Sequence, residues 1–190
     1  MEPGVFESTA WLPLLLKLGG GGVLLFWIVG AYNRLVRLRG AIGTAWSQID
    51  ELLQRRSALL ESLADAVREP LADEGVTLAA LIQADQRQRT AAQVVRSRPS
   101  HAPALVAWVL AEAELASPLA RLQALIEQRS ELAMSEPVLP LQRQLIELGP
   151  RLVYARQLFS DAAEAYNGAL EEIPTRAVGR LFGMRSASRL

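Results

Sequence analysis

Side chains capable of covalent or metal chemistry are sparse in this chain of 190 residues, which holds one histidine and no cysteine. The missing thiol removes disulfides, thiolate metal sites and cysteine nucleophiles together. Nucleophilic catalysis by serine, threonine or lysine needs an adjacent base. The lone imidazole, His101, stands in "SRPSHAP", a proline-bounded break where capping or solvation is the expected role. Carboxylate-bridged metal centres in helix bundles combine inward glutamates with Glu-x-x-His pairs on facing helices, and the chain has no such pair. Glu112 and Glu114 flank an apolar stripe, and Glu112, nearer the inward side, is expected to pair with an arginine. Neither G-x-x-x-x-G-K-[ST] nor G-x-G-x-x-G occurs. The expectation is a protein that is not an enzyme and carries no cofactor or metal.

The 20 basic and 20 acidic residues cancel, so the net basic face that a nucleic-acid binder uses to displace counterions is missing. Abundant alanine, leucine and arginine, with few aromatics, suits a helical protein.

The elements that position these residues begin with "LLLKLGGGGVLLFWIVGAYNRLVRLR", residues 14–39. A cleavable leader would start basic and end in a small-x-small site, whereas this chain starts with Glu2 and Glu7 and runs through Tyr32 and Asn33 into Arg34, Arg37 and Arg39. A soluble core helix would suffer from four consecutive glycines, each costing about 1 kcal/mol. Lipid removes that objection, because there the backbone must satisfy its own hydrogen bonds. From Trp11 to Tyr32 a helix covers about 31 Å, the depth of a hydrocarbon core with an aromatic at each interface. Lys17 can snorkel toward the nearer headgroups; alternatively the span slides toward Leu35 and Val36. The three arginines after the span, against two glutamates before it, place the following domain in the cytoplasm under the positive-inside rule.

Beyond the span, apolar stripes at helical spacing predict four long helices. Ile42, Trp46, Ile49, Leu53, Leu60, Leu63 and Val67 run until Pro70. Thr77 is a candidate cap for a second helix carrying Leu78, Leu81, Ile82, Ala92 and Val95. Leu105, Trp108, Val109, Leu115, Leu119, Leu122, Ile126 and Leu132 mark a third, with Ser117-Pro118 either a kink or a fresh start. Leu141, Leu145, Leu148, Leu152, Ala155, Phe159, Ala162, Tyr166, Ala169 and Ile173 mark a fourth, bent at Gly149-Pro150. The fold class is all-α: an N-terminal transmembrane helix followed by an antiparallel four-helix bundle. The boundaries are an outer N-terminus at 1–10, a span at 11–33, a bundle at 34–173 and a basic tail at 174–190.

Antiparallel packing would bring Tyr166 and Asn167 back beside Tyr32, Asn33 and Trp46, as a polar layer serving either as a register clamp or as a ligand pocket. Arg55, Arg56 and Asp161 are expected to be ion-paired or solvated. In the tail, Arg176, Arg180, Arg185 and Arg189 alternate with Val178, Leu181, Phe182 and Met184, giving a basic and an apolar edge. Two placements stay open, on the bilayer or against the bundle. The membrane-interface set is therefore Trp11, Lys17, Tyr32, Arg34, Arg37, Arg39, Arg176, Arg180, Leu181, Phe182 and Arg185.

Two segments, "YNRLVRLRGAIGTAWSQIDELLQRR" and "RLVYARQLFSDAAEAYNGALEEIPTRAVGRLFGMR", resemble the LemA family of bacterial membrane proteins. The resemblance rests on Tyr32, Asn33, Trp46, Asp50, Arg55 and Arg56 in the first, and on Ala155, Arg156, Tyr166, Asn167 and Pro174 in the second. The chain departs from the family pattern at Glu61, at Asp73 before Glu74, at Phe159-Ser160 and at Gly149-Pro150. The resemblance implies a short outer N-terminus, one span and a cytoplasmic helical bundle, without a settled biochemical activity. The expected role is a scaffold or adaptor at the inner membrane. Its expected partners are the lipid bilayer and unidentified membrane or cytoplasmic proteins, further copies of the chain included, and not nucleic acid. The alternative role is membrane remodelling by oligomerisation and tail insertion.

Overall fold

The computed structural model describes residues 12–190, with side chains from Gly19 onward. The N-terminal segment 1–10, Trp11 and the side chain of Lys17 lie outside the described residues.

One helix, α1 (Leu12–Val67), runs for 56 residues, about 84 Å at 1.5 Å per residue. Its two ends have different surroundings. Val23, Leu24, Leu25 and Phe26 are 72%, 55%, 63% and 82% exposed. Consecutive helical residues point about 100° apart, so this part is apolar on every side and largely exposed. From Ala31 onward a stripe through Leu35, Ile42, Trp46, Ile49, Leu53, Leu60, Leu63 and Val67 is buried. The helix runs past Glu61 without a break and stops just before Pro70.

After a 3-10 turn, Ala72–Glu74, the chain forms α2 (Gly75–Ser97), α3 (Ala102–Gln128), the short α4 (Ser130–Ala133), α5 (Leu139–Glu171) and α6 (Thr175–Leu181). The protein is all-helical, with no strand among the described residues. α5 lies antiparallel along α1, with Arg34 paired to Glu172 at one end and Trp46 against Phe159 further along. α2 runs back along α1, joined by Asp50 to Arg96 and Ser57 to Asp85. α3 returns beside α2, with Arg87 against Glu114.

Two apolar clusters form the interior. One gathers Trp46, Trp108, Phe159 and Tyr166 near α6, and the other gathers Leu60, Leu63, Leu81, Leu122 and Ile126 at the far end. Among the described helices, α3 is the one long and apolar enough to cross a membrane by composition, with a mean hydropathy of 1.2 over its most apolar window. It buries Leu105, Trp108, Leu115, Leu122 and Ile126 among the other helices and leaves its opposite face exposed.

Several elements differ from the sequence expectation. Thr77 does not cap α2, because the helix already begins at Gly75; its buried hydroxyl instead bonds the Glu74 carboxylate at 3.0 Å. Ser117-Pro118 starts no new helix, since α3 is continuous through Pro118; α5, by contrast, runs through Gly149-Pro150 as one element, as expected. Ile173, at the end of the predicted stripe, is 80% exposed because α5 has already ended at Glu171. Ile82 and Val109 face outward as well.

Phe159 is fully buried between Trp46 and the helices around it. Phe159→Ala is expected to cost about 3–5 kcal/mol, whereas Val153→Ala on the exposed face of α5 should stay within about 0.5 kcal/mol. Urea midpoints at constant m-value check the difference.

Candidate membrane-facing end and the charge lock behind it

Between the two apolar clusters the interior turns polar. Arg56 of α1 donates two hydrogen bonds to Glu112 of α3, at 2.6 and 2.7 Å, and Arg156 of α5 adds a third to the same carboxylate at 2.8 Å. The Arg156 guanidinium also lies over the Trp108 ring, 5.1 Å from its centroid, where the ring face attracts a cation. Trp108 meets Trp46 edge-on at 5.1 Å. Burial opposes ionisation of Glu112, but the hydrogen bonds and charges of Arg56 and Arg156 outweigh it and bring its carboxyl below the usual glutamate value. Nearby, Ser57 donates to Asp85 at 2.7 Å. Gln88 is fully buried, with neither end of its amide partnered among the described residues. Arg56, Glu112 and Arg156 tie α1, α3 and α5 together through one carboxylate, an arrangement suited to fixing helices.

The other polar residues gather where α1 leaves the body. α5 ends, and Thr175 staples the turn by donating to the carbonyls of Ala169 and Glu172. α6 then lies across α1 near Ala31 and Leu35, burying Val178 and Gly179. A Cβ on Gly179 would stand 2.7 Å from a Leu170 methyl, so glycine permits the close approach. α6 stops in a left-handed turn at Gly183 (φ +63°), where the Met184 amide bonds the Gly179 carbonyl and the Gly183 amide bonds that of Arg180, closing the helix end. The tail then runs back along α5. Asn167 grips the Ala187 backbone with two bonds of 2.8 Å, and Ser160 bonds the amide and carbonyl of Leu190. Three extended residues and seven helical ones both cover about 10 Å, so the two clamps stay in register.

The basic helical tail expected over the last residues is thus shorter than its sequence pattern. Only Thr175–Leu181 is helical, because the Gly183 turn ends it and the clamps hold the remaining residues extended. Leu181 and Phe182 remain 74% and 54% exposed, and Phe182 packs on Tyr32 with ring centroids 4.8 Å apart. Arg176, Arg180 and Arg185 are exposed, as are Arg37 and Arg39, while Arg34 pairs with Glu172.

The expected polar layer of Tyr32, Asn33, Trp46, Tyr166 and Asn167 does not form. Tyr32 and Trp46 share one helix and are about 21 Å apart along it. Tyr32 packs against Phe182 with the rings tilted by 50°, Asn33 is exposed, Trp46 lies in the core and Asn167 holds the tail. Asp50 accepts from Gln54 and Arg96, Arg55 is exposed, Ala155 is buried and Pro174 precedes α6. Asp161 accepts from Gln157. Sequence reading missed the Ser57–Asp85 contact and Gln88, whose places at stripe-compatible positions were the available signal.

Residues 45–190 match the LemA family model, a stretch that opens just before Trp46 and takes in the charge lock and both tail clamps. The chain belongs to the LemA family. Among the curated proteins no other chain matches it. In this LemA-family chain the matched region holds most of the packed helical body, and the exposed apolar part of α1 lies ahead of it.

Removing the Glu112 carboxylate leaves two facing cations half-buried, and Glu112→Ala is expected to cost about 3–5 kcal/mol. Because the native pKa is lowered, this stabilisation is present above the ordinary glutamate value of 4.5 and is lost as pH falls through the native value. Unfolding measured from pH 7 to pH 3 should show Glu112→Gln losing less stability than the unaltered chain on acidification.

Proposed function

We propose that the protein is a single-pass inner-membrane scaffold. Residues 11–33 cross the bilayer with the N-terminus outside, and an antiparallel four-helix bundle at 34–173 stands in the cytoplasm, binding protein partners without catalysing a reaction. The observation that carries this reading is the exposed apolar circumference of α1 at Val23, Leu24, Leu25 and Phe26, continuous with the core helix of the body. Water strongly disfavours such a surface and hydrocarbon does not. Arg34, Arg37 and Arg39 directly follow it, as the cytoplasmic side requires. Ile173, Leu181 and Phe182 stand exposed at the same end, at the height where amphipathic side chains meet headgroups.

Partner binding is assigned to the outward faces of α2 and α3. Val106, Val109 and Leu110 are 57%, 47% and 61% exposed on α3, spaced three and four residues apart, and exposed Ala113, Ala116 and Ala120 continue the face. An apolar helix face of this kind fits a second helix laid along it. The remodelling alternative draws on the same exposed rim of α6. The clamped tail beyond Gly183 favours the scaffold, because it leaves few apolar side chains, Ile173, Leu181 and Phe182, to enter lipid.

With no native cysteine, single-cysteine variants report topology directly. Ser62→Cys should react with a membrane-impermeant maleimide only after the inner membrane is opened, and the chain should resist alkaline carbonate extraction. A soluble, intact chain after that wash overturns the membrane reading. In proteoliposomes, a spin label at Phe182→Cys should be more accessible to oxygen than to a nickel chelate, and one at Ser62→Cys the reverse. A photo-crosslinker at Leu110 should give a discrete protein adduct that Val106→Glu abolishes; its absence in cells removes α3 as the docking face.

A further inference from the structure

A cleft of about 430 Å³ opens beside the membrane-proximal end of the body, inside the range of small-molecule sites, about 300–1,000 Å³. Three arginines from three separate parts of the chain line it: Arg39 from α1, Arg98 from the turn between α2 and α3, and Arg185 from the tail. His101 and Ser100 stand on the same turn, and Tyr166 of α5 lies buried at its wall. No carboxylate lines the cleft. None of the three arginines is ion-paired among the described residues, whereas Arg34, Arg56, Arg87, Arg96, Arg129 and Arg156 all are.

Unpaired arginines repel one another, so three around one hollow require a reason. Nothing in the core forces them together, since all three are exposed. The Gly183 turn and the Asn167 clamp on Ala187 fix the backbone on both sides of Arg185 and so hold it at the cleft. Burial raises the pKa of Tyr166, with the Arg39 charge pulling it partly back, and the phenol stays a hydrogen-bond donor at neutral pH. We propose that this cleft binds a phosphate ester, its oxygens held by the forks of Arg39, Arg98 and Arg185. A phosphate offers three or more acceptor oxygens and up to two charges, and arginine forks match it in pairs of parallel bonds; one carboxylate would leave most of these donors idle. A nucleic-acid strand fits poorly, because the chain has no net positive charge to continue the track.

Arg39 stands about 10 Å along α1 from Tyr32, so the phosphate can come from a lipid headgroup at the bilayer surface or from a soluble ester. The inference does not rest on the membrane reading. The full chain in dodecyl maltoside is titrated calorimetrically with inorganic phosphate and glycerol 1-phosphate, and its retention of phosphatidylglycerol against phosphatidylcholine is followed by native mass spectrometry. Saturable binding at one site is expected, at least tenfold weaker in Arg98→Gln/Arg185→Gln. It should change less than twofold in Arg143→Gln/Arg151→Gln, two exposed arginines of α5 away from the cleft. Binding of glycerol 1-phosphate alone assigns a soluble ligand, and retention of phosphatidylglycerol without it assigns a headgroup. Failure of every probe to saturate the unaltered chain, or equal binding by Arg98→Gln/Arg185→Gln with unchanged helicity, overturns the proposal and leaves the membrane reading standing.

Discussion

Glu112 joins three helices through one carboxylate. Arg56 reaches it from α1 and Arg156 from α5, while α3 carries it between the two apolar clusters. Apolar helix faces tolerate sliding, because one leucine substitutes for the next along a stripe. A two-pronged arginine contact does not, since a shift of one residue separates donor from acceptor. The polar layer therefore fixes how far each helix is advanced along its neighbours. Breaking it is costly, because the charges left behind stay half-buried. Specificity is what such a layer contributes to a body whose core is otherwise largely apolar.

The same rigidity matters for α1, which continues outward from the lock as a single helix. Four glycines near its outer end have no neighbour within 4 Å of where a side chain would begin. Close packing in this chain does not explain them, and under the proposed reading lipid surrounds that surface. The body and the projecting segment would then be one rod, so a force on the α3 face would reach the bilayer without an intervening hinge.

The stripes of α1, α3 and α5 were legible because a helix buried on one side writes its period into the sequence; nearly every stripe residue, from Ile42 to Ala169, is buried or half-buried. Glu112 was legible for a related reason, as a charge beside an inward position that needed a cation. The extent of the tail helix was not legible, for a physical reason. Its alternation of arginine and apolar residues is compatible with a helix, and the helix is stopped by one positive φ at Gly183 together with two clamps from α5. Contacts between residues 20 and 30 positions apart leave no local period. The cleft was hidden likewise, because Arg39, Arg98 and Arg185 are ordinary singly and meet only through the tertiary path.

The backbone of Leu190 is held against Ser160, well down the flank of α5 and away from the end where α1 projects. Any polypeptide joined after Leu190 would depart sideways from the middle of the body. A reporter fused there would sit beside α5, away from the end where α1 projects. To do so it must accommodate the two hydroxyl contacts that Ser160 makes with the final residue, or else pull the last residues away from α5.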